Sequence, residues 1–459
     1  RDKDQQNGFK SDLVPWPDGI KVKADLPMHS PWRTVQVAES PGGLIESNMI
    51  LNLNEPGKLD DISYVKPMKY VGIWWGMHIG LNTWHKSSRH GATTKNAKKY
   101  IDFASQHNIP GLLVEGWNKG WKSWLSGNNV QNYTQPYKDF DMEEVVSYAR
   151  KKGISLIGHH ETGGNIPMYE KQMEAAFQYL EDHGIHAVKT GYAGEMRPEG
   201  MHHHGQYMVN HYRRVVELAH KHRLMIDAHE PIKPTGIRRT YPNMVTREGI
   251  RGMEYNAWSK GNPPSHHTIL PFTRFLAGPA DYTPGIFDVL LQQQHDKRKK
   301  LVSRKELKNR VHTTLAKQLA LFVVFYSPLQ MASDLVENYQ DHPAFRFIED
   351  VPVDWETTRV LNGEIGRYVT IARKDRHSED WYVGSLTNEK SRKLTLSCNF
   401  LSDNTQYTAT VYRDGEDADW KNKPTSYVID TLKGIHKESE IPLQLAAGGG
   451  TAIKLYPED

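Results

Sequence analysis

The chain has 459 residues, 38% of them hydrophobic and 24% charged, which suits two or three domains with sizeable cores. Its 58 Lys and Arg against 54 Asp and Glu leave a net charge of only +4, without the basic excess of a nucleic-acid binder, and its 12 Trp and 22 Tyr exclude a disordered composition. The single cysteine, Cys398, rules out an intramolecular disulfide and a CxxC zinc site, and no apolar run is long enough to span a membrane as a helix.

The first ~65 residues are rich in Pro and Gly and read as extended pieces joined by turns, the tail of an earlier β-rich region or a linker packed on the next domain. From Tyr70, short apolar runs alternate with longer amphipathic stretches. The runs are Tyr70-Val-Gly-Ile-Trp-Trp, Gly111-Leu-Leu-Val-Glu-Gly-Trp, Ser155-Leu-Ile-Gly-His-His-Glu, Ala187-Val-Lys-Thr-Gly-Tyr, Leu224-Met-Ile-Asp-Ala-His-Glu, Ile250-Arg-Gly-Met-Glu-Tyr, Gly278-Pro-Ala-Asp-Tyr and Pro328-Leu-Gln-Met-Ala. Helices are predicted between them at 94–106, 142–152, 168–183, 206–222 and 312–325; in the first, Ala97, Tyr100, Ile101 and Ala104 form one stripe. Strands alternating with helices imply a parallel sheet, and eight strands over about 270 residues match a (β/α)₈ TIM barrel. No glycine-rich phosphate-binding loop follows the first strand. After about residue 355 the period becomes two, and short strands between turns predict an antiparallel β-sandwich that holds Cys398 as a small core residue.

A barrel collects its chemistry at the C-terminal ends of its strands. There the sequence places Trp74 and Trp75, Glu115 and Trp117, His159, His160 and Glu161, Lys189, His229 and Glu230, and Glu254. Carboxylates converging on one mouth suit acid–base cleavage of a glycosidic bond, or a hard cation held by oxygen ligands, and the two coexist. Zinc is disfavoured: the pairs His160-Glu161 and His229-Glu230 do not extend to HExxH. His159, His160 and His229 read instead as donors to sugar hydroxyls, and Trp75, Trp117, Trp121 and Trp124 as sugar contacts or packing. The basic stretch 297–310, with eight Lys or Arg, reads as solvated surface.

Several of these segments resemble glycoside hydrolase family 97. They are Leu113-Val-Glu-Gly-Trp-Asn-Lys-Gly-Trp, His159-His-Glu-Thr, Val188-Lys-Thr-Gly-Tyr, Asp227-Ala-His-Glu-Pro-Ile-Lys-Pro-Thr-Gly, Arg251-Gly-Met-Glu-Tyr and Gly278-Pro-Ala-Asp-Tyr-Thr-Pro-Gly. The resemblance implies that residues 1–65 are the exit segment of an N-terminal β-supersandwich, 66–352 a catalytic barrel and 353–459 a C-terminal β-sandwich. It implies a calcium-dependent, exo-acting α-glycosidase acting on oligosaccharides, exported to the periplasm. Glu254 would be the general acid, and Glu161 and Glu230 the bases. Glu230, Glu248 and Glu254 would hold Ca²⁺, with a further carboxylate lent by the supersandwich. Glu115, His159, Lys189, His229 and Trp75 would contact the sugar. Retaining members carry an Asp nucleophile at the end of the fourth strand, where this chain has Lys189-Thr-Gly191-Tyr192. The expected branch is therefore the inverting α-glucosidase one, with a retaining α-galactosidase and a non-catalytic glycan-binding barrel as rivals.

Overall fold

The computed structural model describes residues 2–4, 8–10, 12–125 and 131–458. Near the start, β1 (Asp2–Asp4) pairs antiparallel with β2 (Gly8–Lys10). Seven parallel strands then form one sheet: β3 (Met68–Ile73), β4 (Gly111–Val114), β5 (Ser155–Glu161), β6 (Ala187–Gly191), β7 (Met225–Ala228), β8 (Met244–Arg247) and β9 (Leu329–Ala332). Their order is β8-β7-β6-β5-β4-β3-β9, a nearly closed TIM barrel. The strands are buried almost throughout, as expected when helices cover the outside and side chains fill the inside.

Two strand expectations need correction. The run at Ile250 is no strand: the sixth position is taken by β8, only four residues long and set just after the turn at Tyr241-Pro-Asn. Gly249 has φ of +57°, Arg251 is exposed, and the segment enters a one-turn helix, Tyr255–Trp258. The run at Gly278 follows a strand's path between β8 and β9 without joining a ladder. Ala280 N–H donates to Tyr326 O at 3.0 Å and Asp281 N–H to Arg247 O at 3.2 Å, while Ser333 N–H at the other end donates to Pro284 O at 3.2 Å. Pro279 and Pro284 lack the N–H groups that a ladder needs.

The main helices lie where periodicity placed them: Thr94–Gln106, Met142–Lys151, Ile166–Asp182, Gln206–Lys221 and Leu315–Val324. Side chains of Thr93, Asp141, Asn165 and Thr314 cap four of them by accepting from a backbone N–H three residues on. The predicted stripe Ala97, Tyr100, Ile101 and Ala104 is buried. Leu315–Val324 is buried on every side because the C-terminal region packs on it.

That region holds a six-stranded antiparallel sheet, ordered β10-β11-β12-β17-β14-β15, and a two-stranded one, β13-β16. Its strands are β10 (Trp355–Glu364), β11 (Tyr368–Asp375), β12 (Trp381–Thr387), β13 (Arg392–Ser397), β14 (Tyr407–Asp414), β15 (Tyr427–Ile435), β16 (Glu440–Leu445) and β17 (Gly450–Pro457). The two sheets enclose a core around Val383, Leu396, Tyr407 and Ile453, with Cys398 buried in it just past β13.

Lys317, on the all-buried helix, donates to Pro264 O at 3.0 Å and Thr387 O at 2.8 Å, tying a barrel loop to the C-terminal sheet. Burial pushes its ammonium down to about 7. The unfolded chain then binds the extra proton between pH 7 and 10.5, so stability rises with pH across that window. Denaturant unfolding should gain ~1–3 kcal/mol more between pH 7 and 9 in the parent chain than in Lys317→Met. Equal gains would contradict a buried, strained ammonium.

Candidate active site

The barrel mouth opens into a cavity of about 620 Å³. Six of the predicted residues converge on it from successive strand ends: Glu115 after β4, His159 and Glu161 on β5, Lys189 on β6, and His229 and Glu230 after β7. The alternation of β5 explains its selectivity. His159 and Glu161 share the inner face, whereas His160 points into the helical layer, its Nδ1 3.1 Å from Tyr169 Oη and its ring stacked on Phe177. His160 therefore packs rather than meeting the cavity. Glu254 also lines it, reached through the loop after β8 at the start of helix Tyr255–Trp258.

Two predicted residues stand elsewhere. Trp75 is 1% exposed and stacks behind Trp74 at 5.5 Å between ring centroids, so Trp74 is the indole that faces the cavity. Glu248 sits one layer back, its Oε2 accepting the Glu230 N–H at 3.2 Å. Trp117 is also core, stacked on Tyr179, whereas Trp121 and Trp124 line the cavity beside Trp84. Sequence reasoning missed His78, Trp84, Tyr255 and Trp258. His78 Nε2 lies 3.8 Å from Glu254 Oε2, and Trp84 Nε1 donates to Glu115 Oε2 at 3.0 Å.

Each carboxylate is held by identifiable partners. Glu161 Oε1 accepts the N–H groups of Gly163 at 2.8 Å and Ala193 at 3.2 Å. Glu230 Oε2 accepts the N–H of Tyr192 at 2.7 Å. The Glu230 backbone is left-handed, with φ of +41°, a strained state for a non-glycine residue that Tyr212 Oη stabilises by donating to its carbonyl at 2.9 Å. Gly191 closes β6 against this group: a Cβ there would stand 1.9 Å from Glu161 Oε2.

Electrostatics divide the site into two zones. On the upper side the glutamates crowd one another. Burial, then repulsion from Glu230, raises Glu161 well above the usual carboxylate range and pushes Glu254 up to about 8. Burial, then Glu254 and Glu230, raises Glu248 as well. On the floor, Asp281 Oδ2 faces His229 Nε2 at 2.8 Å, Lys189 Nζ at 3.3 Å and Tyr70 Oη at 3.3 Å. Burial opposes charge on Asp281, but Lys189 and His229 outweigh it and hold it well below the ordinary value. Asp227 is raised, by burial and then by Asp281.

Among the described residues, Asp227, His229 and Asp281 form the group whose donor atoms lie within 4.8 Å of one another, as metal ligands would. The Lys189 ammonium beside Asp281 already supplies the positive charge there. Among the described residues no Lys or Arg pairs directly with Glu230, Glu248 or Glu254, which feel Lys189 only from farther off. Three neighbouring buried carboxylates offer the oxygen donors that a hard divalent ion such as Ca²⁺ takes, so their chemistry matches the ion that the resemblance implies, while their oxygens are not all within 4.8 Å of one another.

Comparison with known proteins places the chain among glycoside hydrolases. The profile described as Glycoside hydrolase 97 matches residues 74–250; those described as Glycosyl-hydrolase 97 N-terminal and Glycosyl-hydrolase 97 C-terminal, oligomerisation, match 5–56 and 354–456. A curated retaining alpha-galactosidase of Bacteroides thetaiotaomicron is 30% identical over 95% of this chain, and the chain spans 61% of that relative. A solved Glycoside Hydrolase Family 97 enzyme from Pseudoalteromonas sp. strain K8, in complex with acarbose, is 47% identical, with 99% of this chain and 70% of that one covered at a TM-score of 0.93. A structure from the same strain in complex with panose is 46% identical, with the same coverage and TM-score.

Proposed function

The chain belongs to glycoside hydrolase family 97, and from that premise we propose that its barrel cavity hydrolyses terminal α-glycosidic bonds of oligosaccharides. Glu254 donates a proton to the departing glycosidic oxygen; its position in the cavity and its raised pKa keep that proton available near neutral pH. Glu161 and Glu230 between them accept the proton of the attacking water, a role that requires a nearby cation to offset the burial that raises both and keep them ionised. Glu115, His159, Lys189 and His229 bind the sugar's hydroxyls, and Trp74 lies along its apolar face. Bound through Glu230, Glu248 and Glu254, Ca²⁺ would supply fixed positive charge that orders these carboxylates and offsets their repulsion, leaving burial to favour the proton on Glu254.

Two finer readings rest on different observations. The name of the curated relative fits a retaining α-galactosidase better. The site geometry supports inversion, and one observation carries it: the strand end where a retaining nucleophile would stand is Gly191, and the volume of a side chain there is filled by the Glu161 carboxylate. With no nucleophile a water must attack, which is what Glu161 and Glu230 are placed to activate. The ligands named with the relatives at 46–47% identity, acarbose and panose, are glucose-based oligosaccharides and support an α-glucosidase.

Aryl α-glucoside and aryl α-galactoside, each assayed with Ca²⁺ and with EDTA, test the reading. Turnover of the glucoside that is lost in EDTA and restored by Ca²⁺ is expected. Preference for the galactoside would favour the retaining reading, and no turnover of either would favour a glycan-binding barrel. Gly191→Ala should lower kcat by ~10-fold or more with the fold intact, because the new methyl displaces Glu161. An unchanged kcat would remove Glu161 from the chemistry.

A further inference from the structure

A second cavity, of about 530 Å³, lies away from the barrel mouth, where the segment around Ile45–Asn48, the loop before β8 and strands β10 and β11 meet. Arg238, Arg359 and Arg373 line it. Arg373 is 6% exposed. Its Nε donates to Val323 O at 2.7 Å and its Nη1 to Thr358 Oγ1 at 2.6 Å, which leaves Nη2 without a partner among the described residues. Its guanidinium lies 5.4 Å from the ring centre of Tyr326, another lining residue. Arg238 uses only Nη1, donating to Ala277 O at 3.1 Å.

The charges of this wall are not balanced from within. Among the described residues, no carboxylate comes within 4.0 Å of any of the three guanidiniums. The two acids that line the cavity are otherwise engaged: Glu356 pairs with Lys374 at 3.1 Å, and Glu46 Oε1 accepts the Val360 N–H at 2.6 Å. Burial depresses both Arg373 and Arg238. An arginine removed from water without a counter-charge is costly, and a planar fork of free N–H groups matches an oxyanion.

We infer that this cavity binds an oxyanion between the free N–H groups of Arg373 and Arg238, with Arg359 at the rim. The ligand chemistry is that of phosphate, sulfate or the carboxylate of an acidic sugar. The site does not rest on the hydrolytic reading, because its occupancy is measured without turnover.

Isothermal titration calorimetry of the full chain, at fixed ionic strength and with sodium chloride as the control, would use sodium phosphate, sodium sulfate and sodium galacturonate as probes. Saturable binding of at least one probe is expected, weakened ~10-fold or more in Arg238→Gln, with circular dichroism and aryl glycoside hydrolysis unchanged. Tetrahedral anions binding without galacturonate identifies a phosphate-type site; galacturonate alone identifies an acidic sugar. Arg359→Gln, at an exposed position, provides a second variant should Arg238→Gln not fold, with a ~2–5-fold loss expected. Absence of saturable binding by all three probes, or the same affinity in the parent and the folded variants, would overturn the inference.

Discussion

Glu254→Gln should lower kcat on maltosides by about 10²–10⁴-fold while leaving aryl α-glucosides with very acidic leaving groups within ~10-fold of the parent chain. Glutamine keeps the size of the side chain and its place beside His78, whose Nε2 is 3.8 Å from the carboxylate, but it has no proton to give. Burial and the neighbouring Glu230 charge push Glu254 up to about 8, so the parent carboxyl is still protonated where a carboxyl in water would be ionised. A sugar alkoxide needs that proton to leave and a dinitrophenolate does not, so the loss follows the leaving group. Equal losses on the two substrates would show that Glu254 orders the cavity rather than donating the proton.

The second large effect is an asymmetry between two aspartates on the cavity floor. Asp281→Asn should cost ~3–5 kcal/mol of stability in denaturant unfolding, whereas Asp227→Asn should cost less than ~1 kcal/mol. Both side chains are buried, but they are pushed in opposite directions, Asp281 toward its charged form and Asp227 toward its neutral one. Burial opposes the charge on Lys189, and Asp281 is the carboxylate that most offsets it, holding the ammonium above its ordinary value. Removing the Asp281 charge leaves that ammonium unpaired inside the barrel and leaves His229 Nε2 and Tyr70 Oη a weaker, uncharged amide oxygen as their acceptor. Burial and the Asp281 charge push Asp227 toward its neutral form, so an amide there changes less. Equal costs for the two variants would show that the charge assignment of the pair is wrong.

How far the sequence foretold this depended on the periodicity around each residue. Where a strand was apolar up to its last turn, as at Ser155–Glu161 and Ala187–Gly191, the terminal polar residues were read correctly into the mouth. Period two also separates His159 from His160, a distinction left unused when both were read as sugar donors. The choice of Trp75 over Trp74 failed for a related reason: the strand ends at Ile73 and a one-turn helix begins at Trp75, so alternation no longer applies. β8 was passed over because four residues after a turn carry almost no periodic signal, while Ile250-Arg-Gly-Met beyond it looked like a strand.

The loops were the least legible. His78 and Trp84 reach the cavity through the segment after β3, and no local pattern says which way such a loop folds. Arg298 sat in a basic stretch read as solvated surface; it is 1% exposed and donates to Ile79 O at 3.1 Å and Glu306 O at 3.1 Å, bracing the cavity wall. Asp281 lies in a run that reads as a strand, but its partners Tyr70 on β3, Lys189 on β6 and His229 just after β7 meet only once the barrel closes.

The central claim is that water, activated by Glu161 and Glu230, attacks the anomeric carbon because no side chain at Gly191 can do so. Proton NMR of the sugar first released from an aryl α-glucoside, recorded before mutarotation, tests it directly. β-Glucose is expected as the initial product; α-glucose appearing first would demonstrate retention through a covalent intermediate and rule out direct attack by water.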